Sequence, residues 1–394
     1  MRLLVIGAGM MGSAAAYDMA VQPEVESVTL ADSDKKRLAE AAKRVNKLAG
    51  ANKVRGLALD AARVGEVRKQ MKRHDGALSC VPYFFNAKLS KAAIEAGCHF
   101  ADLGGNNTVV KQEFELAKKA AKKGVAIAPD CGLSPGMASV LAGELIRRVG
   151  GKADALKIYV GGLPQSPQPP FHYQLVFSVE GLINEYVEPA KILRGGRIAT
   201  IEPLSEPETF DVEGLPRLEA FHTSGGASTL PETFQGQVGE CFEKTLRYPG
   251  HLPLVRGLYD LGLFSSEKRK IGKVEIAPRA LASSLISEKM AGAGPDLVVL
   301  RVEAHAGPQI SSFTVFDRYD PKTKLTAMMR TTAWPASIVL QMMVSGEIPK
   351  RGGVRQERDV PAGRFLAAMA ARGIEVKFSA ESTGGKTAPP VQAV

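Results

Sequence analysis

Three glycines spaced as Gly7-x-Gly9-x-x-Gly12 sit between a short apolar run at 3–6 and an alanine-rich helical pattern at 13–20. Such a triplet carries chemistry only in a strand–turn–helix context, and this chain supplies one. Gly7 permits the tight turn, Gly9 lets the backbone approach a pyrophosphate, and Gly12 lets the helix pack closely on the strand. Free N–H groups at the helix N-terminus then hold phosphate oxygens. A second apolar run at 28–31 ends at Asp32, twenty residues after Gly12. A carboxylate there accepts hydrogen bonds from both hydroxyls of an adenosine ribose and repels a 2′-phosphate, so NAD is expected in preference to NADP. Lys35, Lys36 and Arg37 lie just beyond and would favour a 2′-phosphate, but Asp34 sits among them. Met10 and Met11 within the turn, and Cys80, Val81 and Pro82 at the end of a later apolar strand, complete the expected dinucleotide contacts.

These groups need elements to hold them. Residues 33–49 read as a helix with Leu38, Ala41, Ala42, Val45 and Leu48 on one face. A strand at 54–59 ends at Asp60, which either reaches an adenine amino group or caps a helix over 61–72. A fourth strand at 76–82 is stopped by Pro82, and Tyr83 leads into a helix over 86–96. Asp102 lies in a fifth strand at 99–103, a helix over 111–123 follows, and Asp130 ends a sixth strand at 125–130. Strands alternating with helices from 2 to 130 predict an α/β fold with a doubly wound, mostly parallel Rossmann sheet. Ligands collect at the C-terminal strand edge of such sheets, which puts Asp32, Asp60, Val81, Pro82, Tyr83, Asp102 and Asp130 on one rim. Ser134 and Pro135 are placed to cap and open a helix over 136–149, whose N-terminus suits a carboxylate or carboxamide; a plain domain linker is the alternative.

From 150 the texture becomes β-rich. A strand at 155–161 precedes a proline-rich loop at 163–170, the segment 172–178, a helix over 179–193 and hairpin-like pieces around Gly195 and Gly196. Residues 218–229 are dense in hydroxyls and glycines, as a polar-ligand loop would be, and include His222, Thr223 and Ser224. In the strand that follows, Lys244, Leu246 and Tyr248 share one face, and Thr245 and Arg247 the other. Arg247 can grip a carboxylate bidentately if it faces a cleft. Later strands are expected at 297–305 and 310–318, an apolar helix over 332–346, and a closing helix over 362–372 with a strand at 374–378. The small, polar stretch from Ser379 is expected to fray.

A chain of 394 residues suggests two domains, and 45% hydrophobic with 23% charged residues describes a soluble globular protein. No apolar run approaches the roughly 18 residues that span a bilayer, and the glycine turn occupies the place of a signal-peptide core. Cys80, Cys98, Cys131 and Cys241 show no C-x-x-C pairing, so neither a metal site nor a disulfide framework is indicated and a cytoplasmic location is expected. The net charge of +10 is spread along helices, with no basic block interleaved with aromatics, so neither nucleic acid nor membrane is an expected partner.

Taken together these motifs resemble the saccharopine dehydrogenase superfamily, and within it the lysine ε-dehydrogenase branch. The resemblance covers nearly the whole chain apart from its C-terminal tail. It rests on Gly-Ala-Gly-Met-Met-Gly at 7–12, Val-Thr-Leu-Ala-Asp at 28–32, Ala-Asp-Leu-Gly-Gly at 101–105 and Pro-Asp-Cys-Gly-Leu-Ser-Pro-Gly-Met at 129–137. Tyr-Val-Gly-Gly-Leu-Pro at 159–164 continues it, and its most specific blocks lie at 219–230 and 244–251. It implies a Rossmann domain over 1–133, a central mixed-sheet substrate and oligomerisation domain over 134–331, and a segment over 332–394 returning to the first domain. It also implies NAD-dependent oxidative deamination of the lysine side-chain amine to a semialdehyde that cyclises, with release of ammonia. Ser134 stands where the saccharopine-reductase branch usually has Asp, and Asp32 argues against that branch's preference for NADP.

Oxidising a C–N bond by hydride transfer needs a neutral amine, although an aliphatic ammonium has a pKa of about 10.4. Asp130 and Asp102 are candidates to hold the ammonium or relay its proton, with strand-end caps as the structural alternative. Tyr83 and His222 are candidate proton carriers, and packing is the commoner role for a tyrosine; His172 and His251 are weaker candidates. Arg247, with Thr223 and Ser224, is expected to hold the substrate α-carboxylate. A secondary-amine enzyme, acting on saccharopine or carboxynorspermidine, would need a second carboxylate site, for which Lys244, Arg194 and Arg197 are candidates. A chain binding NAD without turnover is the third reading, and the populated polar rim weighs against it. A small amino-acid substrate and a closed homodimer or higher homo-oligomer are the expected partners.

Overall fold

The computed structural model describes residues 1–292 and 294–382. Its first strands are β1 (Arg2–Ile6), β2 (Ser27–Asp32), β3 (Val54–Ala58), β4 (Gly76–Ser79), β5 (His99–Asp102) and β6 (Ala126–Ala128). Then come β7 (Ala153–Pro164), β8 (Ala190–Arg194), β9 (Arg197–Ile201), β10 (Glu208–Phe210), β11 (Leu218–His222) and β12 (Val238–Arg247). The remaining strands are β13 (Arg269–Ile271), β14 (Val274–Ile276), β15 (Asp296–Ala306), β16 (Gln309–Arg318), β17 (Gly352–Gly353) and β18 (Val376–Ser382).

Two compact units result, neither of them a continuous stretch of chain. The first comprises 1–144, 320–325 and 329–376; the second comprises 145–319, 326–328 and 377–394. In the first, seven strands pair in the order β17-β6-β5-β4-β1-β2-β3, every pair parallel. This is the doubly wound sheet that the alternation of strands and helices predicts. Local chemistry sets its helix ends. Asp34 caps Lys35–Ala49 by accepting from the Lys36 and Arg37 amides, and Gly50 closes that helix in the left-handed conformation at φ +62°.

The second unit is built on a mixed sheet whose path runs β10-β11-β12-β7-β15-β16-β18, with the β8–β9 hairpin joined at β12 and a separate β13–β14 ribbon. Tyr159, Leu163, Leu218, Ala220, Leu246 and Tyr248 form the core on one side of it. The two long strands β15 and β16 lie where two strands are expected and extend one residue beyond them at most at each end.

Several elements depart from the sequence reading. The helix expected over 111–123 starts at Asn107 and breaks into Asn107–Glu115 and Ala117–Lys122, because the Asn106 side chain caps the Thr108 and Val109 amides. The helix expected to run to 193 stops at Val187, ahead of Pro189, leaving 190–194 to pair as a strand. Asp60 does not cap a helix over 61–72: it accepts from the Ala62 amide within a turn, and the helix spans Val64–Met71 with Arg63 at its N-cap. Pro135 does not open the next helix, because Gly136 intervenes at φ +122° and Met137 begins it. An added Cβ on Gly136 would meet the Gly132 carbonyl oxygen at 2.2 Å, so glycine is required there. The apolar helix starts at Ala327 rather than 332, where buried Asp296 accepts from the Ala327 and Met328 amides at 2.7 and 2.9 Å.

The C-terminal segment divides. Helix Ala362–Ala371 belongs to the first unit, but β18 joins the mixed sheet rather than the Rossmann sheet. Phe378 packs on Phe313 with ring centroids 5.3 Å apart, the Arg148 guanidinium covers it at 4.4 Å, and the Ser379 and Ser312 hydroxyls bond at 2.8 Å. Residues 379–382, expected to fray, are thus strand; those from 383 lie outside the described residues.

Within the first unit Arg372 donates to Asp18 at 2.6 Å, joining the last helix to the first, and Asp18 is 2% exposed. Arg372→Ala would leave that carboxylate buried without its cation, which costs about 3 kcal/mol. Urea unfolding at neutral pH should show a loss of that size, and a loss under 1 kcal/mol would mean the pair contributes little.

Candidate active site

The glycine turn has the geometry of a dinucleotide cradle. Gly7 is at φ +103°, and a Cβ on it would meet the Cys80 carbonyl oxygen at 2.7 Å and Val81 at 3.2 Å. A Cβ on Gly12 would fall 1.8 Å from the Gly7 carbonyl oxygen. Gly9 faces open space, and Met10 beside it is exposed, so the N-terminal turn of helix Met10–Val21 is accessible to a phosphate. Met11 is partly buried in that same turn. Cys80, Val81 and Pro82 follow β4 directly, with the Cys80 amide bonded to the Ile6 carbonyl at 2.7 Å. Burial pushes the Cys80 thiol up, so it is a packing group rather than a nucleophile.

Asp32 ends β2 and is 8% exposed. It accepts from the Ala8 and Asp34 amides at 2.7 and 2.8 Å and from two nitrogens of Arg37 at 3.3 and 2.7 Å. Those bonds hold its pKa below the usual carboxylate value although burial opposes them. Two carboxylate oxygens offer about four acceptor positions, and all are used. A ribose hydroxyl therefore reaches Asp32 only if Arg37 swings away, and the displaced guanidinium is the natural partner for a 2′-phosphate. Asp60, by contrast, is exposed.

Farther along the rim Asp102 and Asp130 meet. Asp102 is fully buried, and its Oδ1 accepts from the Gly104 amide at 2.7 Å and the Asp130 amide at 3.3 Å. Asp130 stands at φ +61°, a conformation few non-glycine residues adopt, and is 4% exposed. Its carboxylate lies over Gly104, where a Cβ would meet Oδ1 at 1.7 Å. Tyr83, half-buried, packs its Cβ against Gly105 in the same way. Beneath them lies Glu113, a residue the sequence reading missed. The Asp102 and Glu113 carboxyls face one another, with Asn86 beside Asp102 and Ser90 beside Glu113. Burial and then the Asp102 charge push Glu113 well up, and burial also raises Asp102.

In the second unit the faces of β11 and β12 sort the remaining candidates. Phe221 registers with Thr245, and His222 with Lys244. Thr223 and Thr245 lie with Glu243 and Arg247 on one face. Thr223 Oγ1 is 3.1 Å from Glu243 Oε2, Thr245 Oγ1 is 3.2 Å from Oε1, and the two hydroxyl oxygens are 2.7 Å apart. Two hydroxyl protons cannot fill three contacts, so the carboxyl supplies the third. Burial, then the nearby Glu185 charge, pushes Glu243 to about 8, consistent with that count. Gly226 closes over it, its absent Cβ 2.5 Å from Glu243 Cγ. Arg247 is buried, 3.8 Å from Glu185 Oε2, with its Nε donating to the Tyr186 hydroxyl at 3.3 Å and its carbon 4.5 Å from the Tyr173 ring centroid. Burial raises Glu185 to about 7. Ser224 bonds the Pro189 and Glu185 carbonyls.

His222 and Lys244 lie on the opposite face and are not brought to Arg247. Lys244 Nζ donates to the Glu206 carbonyl at 2.8 Å and pairs with Glu208 at 3.0 Å. His222 bonds the Glu243 carbonyl and Glu206, and burial lowers its pKa so that it stays neutral. Arg194 is held by Glu206, and Arg197 is exposed on the β8–β9 hairpin. His251 is buried, bonded to the Tyr186 hydroxyl at 3.0 Å and the Phe171 carbonyl at 2.9 Å, and burial lowers it to about 3. His172, at φ +50°, is a loop residue.

The saccharopine dehydrogenase NADP binding domain family matches residues 3–128, and the saccharopine dehydrogenase C-terminal domain family matches 132–374. The chain belongs to the saccharopine dehydrogenase family. It is 26% identical over 270 residues to saccharopine dehydrogenase [NADP(+), L-glutamate-forming] of Pyricularia oryzae, covering 66% of this chain and 59% of that protein. It is 24% identical over 219 residues to mouse mitochondrial alpha-aminoadipic semialdehyde synthase, covering 51% of this chain and 22% of that one. It thus spans about three fifths or less of the length of these curated relatives. Its fold is that of apo saccharopine dehydrogenase (L-Glu forming) from Saccharomyces cerevisiae, with a TM-score of 0.76 at 19% identity over 97% of this chain and 100% of that one.

For a member of the saccharopine dehydrogenase family, the residues that the sequence reading passed over were partly visible. Glu243 lies two residues from Thr245 and four from Arg247, the period of one strand face. Glu113 shares a buried helix face with Val110, three residues earlier. Glu185, Tyr173 and Tyr186 gave no signal, because only the tertiary fold gathers them at Arg247. Among the described residues no group of three His, Cys, Asp or Glu side chains can hold a metal ion.

Two expectations follow. Arg37→Ala frees Asp32 and removes the cation beside a 2′-phosphate, so fluorescence titration should show preference shifting toward NAD by tenfold or more; an unchanged ratio would mean that Arg37 plays no part in the choice. For Glu243, the folded pKa of about 8 exceeds the ordinary 4.5, so its stabilising contribution is complete below the latter and lost as pH rises through the former. Glu243→Gln should flatten that decline in urea unfolding followed between about pH 4.5 and about pH 8.

Proposed function

We propose that this protein oxidises the side-chain amine of an amino acid, L-lysine in the first instance, with NAD as the hydride acceptor. The product would be α-aminoadipate semialdehyde, which cyclises, together with ammonia and NADH. The observation that carries this reading is the buried arginine of the second unit, whose neighbouring carboxylate, Glu185, lies at 3.8 Å without a hydrogen bond. Among the described residues that unit buries Lys244 and Arg247; Lys244 is engaged by Glu208 at 3.0 Å, whereas Arg247 pairs with Glu185 only at 3.8 Å and keeps N–H groups for one substrate carboxylate. A primary-amine amino acid has one such carboxylate to offer, whereas saccharopine has more.

A dinucleotide held at the Gly7–Gly12 turn would supply the acceptor for a hydride from the carbon bearing the amine. The C–H bond breaks, water adds to the resulting iminium, and the C–N bond then breaks to release ammonia. This chain's groups do the proton work. Asp130, held out by its backbone and abutting glycine, would take the proton from the substrate ammonium and later one from the attacking water. Asp102, backed by Glu113, holds the Asp130 loop through its carboxylate and the Asp130 amide. Tyr83, at the end of the same rim, is a second proton carrier.

The alternative is a secondary-amine enzyme using NADP. It is favoured by the names of the matched relatives and by Arg37 lying against Asp32. Reduced-nicotinamide absorbance in alkaline buffer separates the readings, with L-lysine, saccharopine and carboxynorspermidine each supplied against NAD and NADP. Turnover with L-lysine and NAD is expected, with Asp130→Asn reducing kcat by about a hundredfold or more. Turnover with saccharopine alone would move the assignment to the alternative, and silence in all combinations would overturn both.

A further inference from the structure

Asp130 leaves the end of β6, and in the sheet β6 runs between β5 and β17. Gly352 and Gly353 of β17 register with Ala126 and Ile127, and the Val354 amide donates to the Ile127 carbonyl at 2.8 Å. The C-terminal segment therefore follows β6 to its end before turning into helix Gln356–Asp359, where the Asp359 carboxylate accepts from the Arg355 amide at 2.9 Å. That turn is pressed against helix Met137–Arg148, since a Cβ on Gly143 would meet the Glu357 carbonyl oxygen at 2.0 Å. Gln356, 3% exposed, is left with its side-chain amide beside the two residues that flank Asp130. Its Nε2 donates to the Pro129 carbonyl at 2.5 Å and to Cys131 Sγ at 3.1 Å.

These bonds bear on the backbone of Asp130. The φ angle of a residue is the rotation between the rigid peptide plane before it and its own Cα–C bond, so a fixed plane on each side fixes the angle. The plane before Asp130 carries the Pro129 C=O and the Asp130 N–H on opposite edges, as a trans peptide must. On the β5 side Asp102 Oδ1 accepts from the N–H at 3.3 Å, and on the β17 side Gln356 holds the C=O. The plane after Asp130 is held by the Cys131 amide, which donates to the Asp102 carbonyl at 2.8 Å. A non-glycine residue at φ +61° persists only where its surroundings over-determine it, and these bonds do so. The carboxylate direction follows from that backbone, with Oδ1 in the space over Gly104 that a Cβ would need. Without the Gln356 donor, one edge of the first plane is released and the longer bond at 3.3 Å is left to hold the other.

We infer that Gln356 is a positioning residue for amine oxidation: it fixes the Pro129–Asp130 peptide, and with it the direction of the Asp130 carboxylate. This rests on the reading of Asp130 as the group that takes the substrate proton. Both N–H groups of the Gln356 amide are spent on the Asp130 loop, so its effect on the reaction passes through Asp130.

Gln356→Met keeps the length of the side chain and removes its donors. Gln356→Asn keeps the amide but not the reach, and serves if the first variant folds poorly. Each is made in the wild type and in Asp130→Asn, and the full chain is assayed with L-lysine and NAD, or with saccharopine and NADP if that is the pair oxidised. In the wild-type background kcat should fall about tenfold or more, with the KM for the amine within about twofold. In the Asp130→Asn background the same substitution should change kcat by less than about twofold, because the group it positions is already gone. Hydrogen exchange read by mass spectrometry should show the Asp130 and Cys131 amides exchanging about tenfold faster or more, with β1 and β2 unchanged. An unchanged kcat, a loss carried by KM alone, or equal losses in the two backgrounds would overturn the inference and leave the role of Asp130 standing. Full kcat in Asp130→Asn alone would overturn that role and the inference together. Exchange needs no turnover, so an unchanged rate at 130 and 131 in a variant that melts normally overturns the inference whatever the substrate.

Discussion

The contact on which the first unit depends is the one between Gly7 and Gly12. With 1.8 Å between a hypothetical Gly12 Cβ and the Gly7 carbonyl oxygen, even a methyl group would push the first helix off β1. Gly7 leaves no more room towards Cys80, so one turn fixes the helix, the strand and the neighbouring β4 loop together. The parallel order of the sheet then does the rest. Each strand ends at the same edge, and Asp32, Cys80, Asp102 and Asp130 are the residues that the edge presents.

Each unit buries a pair of carboxyls, and the two pairs answer to different demands. Asp102 and Glu113 face one another in a buried interior that raises both carboxyls, and Asp102 accepts from the Asp130 amide above it. Glu185 and Glu243 differ in exposure: the Glu185 side chain keeps 30% of its surface open, and Glu243 is sealed beneath Gly226. The first pair can be complete without a ligand. The second has Arg247 beside it, paired with Glu185 at 3.8 Å without a hydrogen bond.

The features legible in the sequence were those whose geometry is local. The glycine spacing, the acid after β2 and the period-two split of Thr245 and Arg247 from Lys244 all lie within one or two elements. The last of these also holds a lesson about faces. Leu246 and Tyr248 are apolar and Leu218 and Ala220 match them across β11, so their side was bound to be core, and Lys244 and His222 go with it into a structural polar network with Glu206 and Glu208. What stayed hidden depends on chain ends meeting from afar. Glu185 comes from a helix, Tyr173 from a loop, and Arg247 from a strand, and no period links them. The frame of the helix at 107 was misread by four residues for lack of the Asn106 cap, and that error alone concealed the inward position of Glu113.

The way the chain weaves between units has a consequence for its birth on the ribosome. The edge of β6 is covered by β17, whose Gly352 amide bonds the Val125 carbonyl, and the first helix is anchored by Arg372. At ordinary rates of translation that edge strand waits on the order of ten seconds or more before its partner emerges. Throughout that interval the nascent protein presents an unpaired parallel edge beside an otherwise complete sheet, the kind of surface that invites pairing with another chain. Neither unit can be excised as a continuous fragment, and the nearly full-length chain is the smallest piece that closes its own sheet.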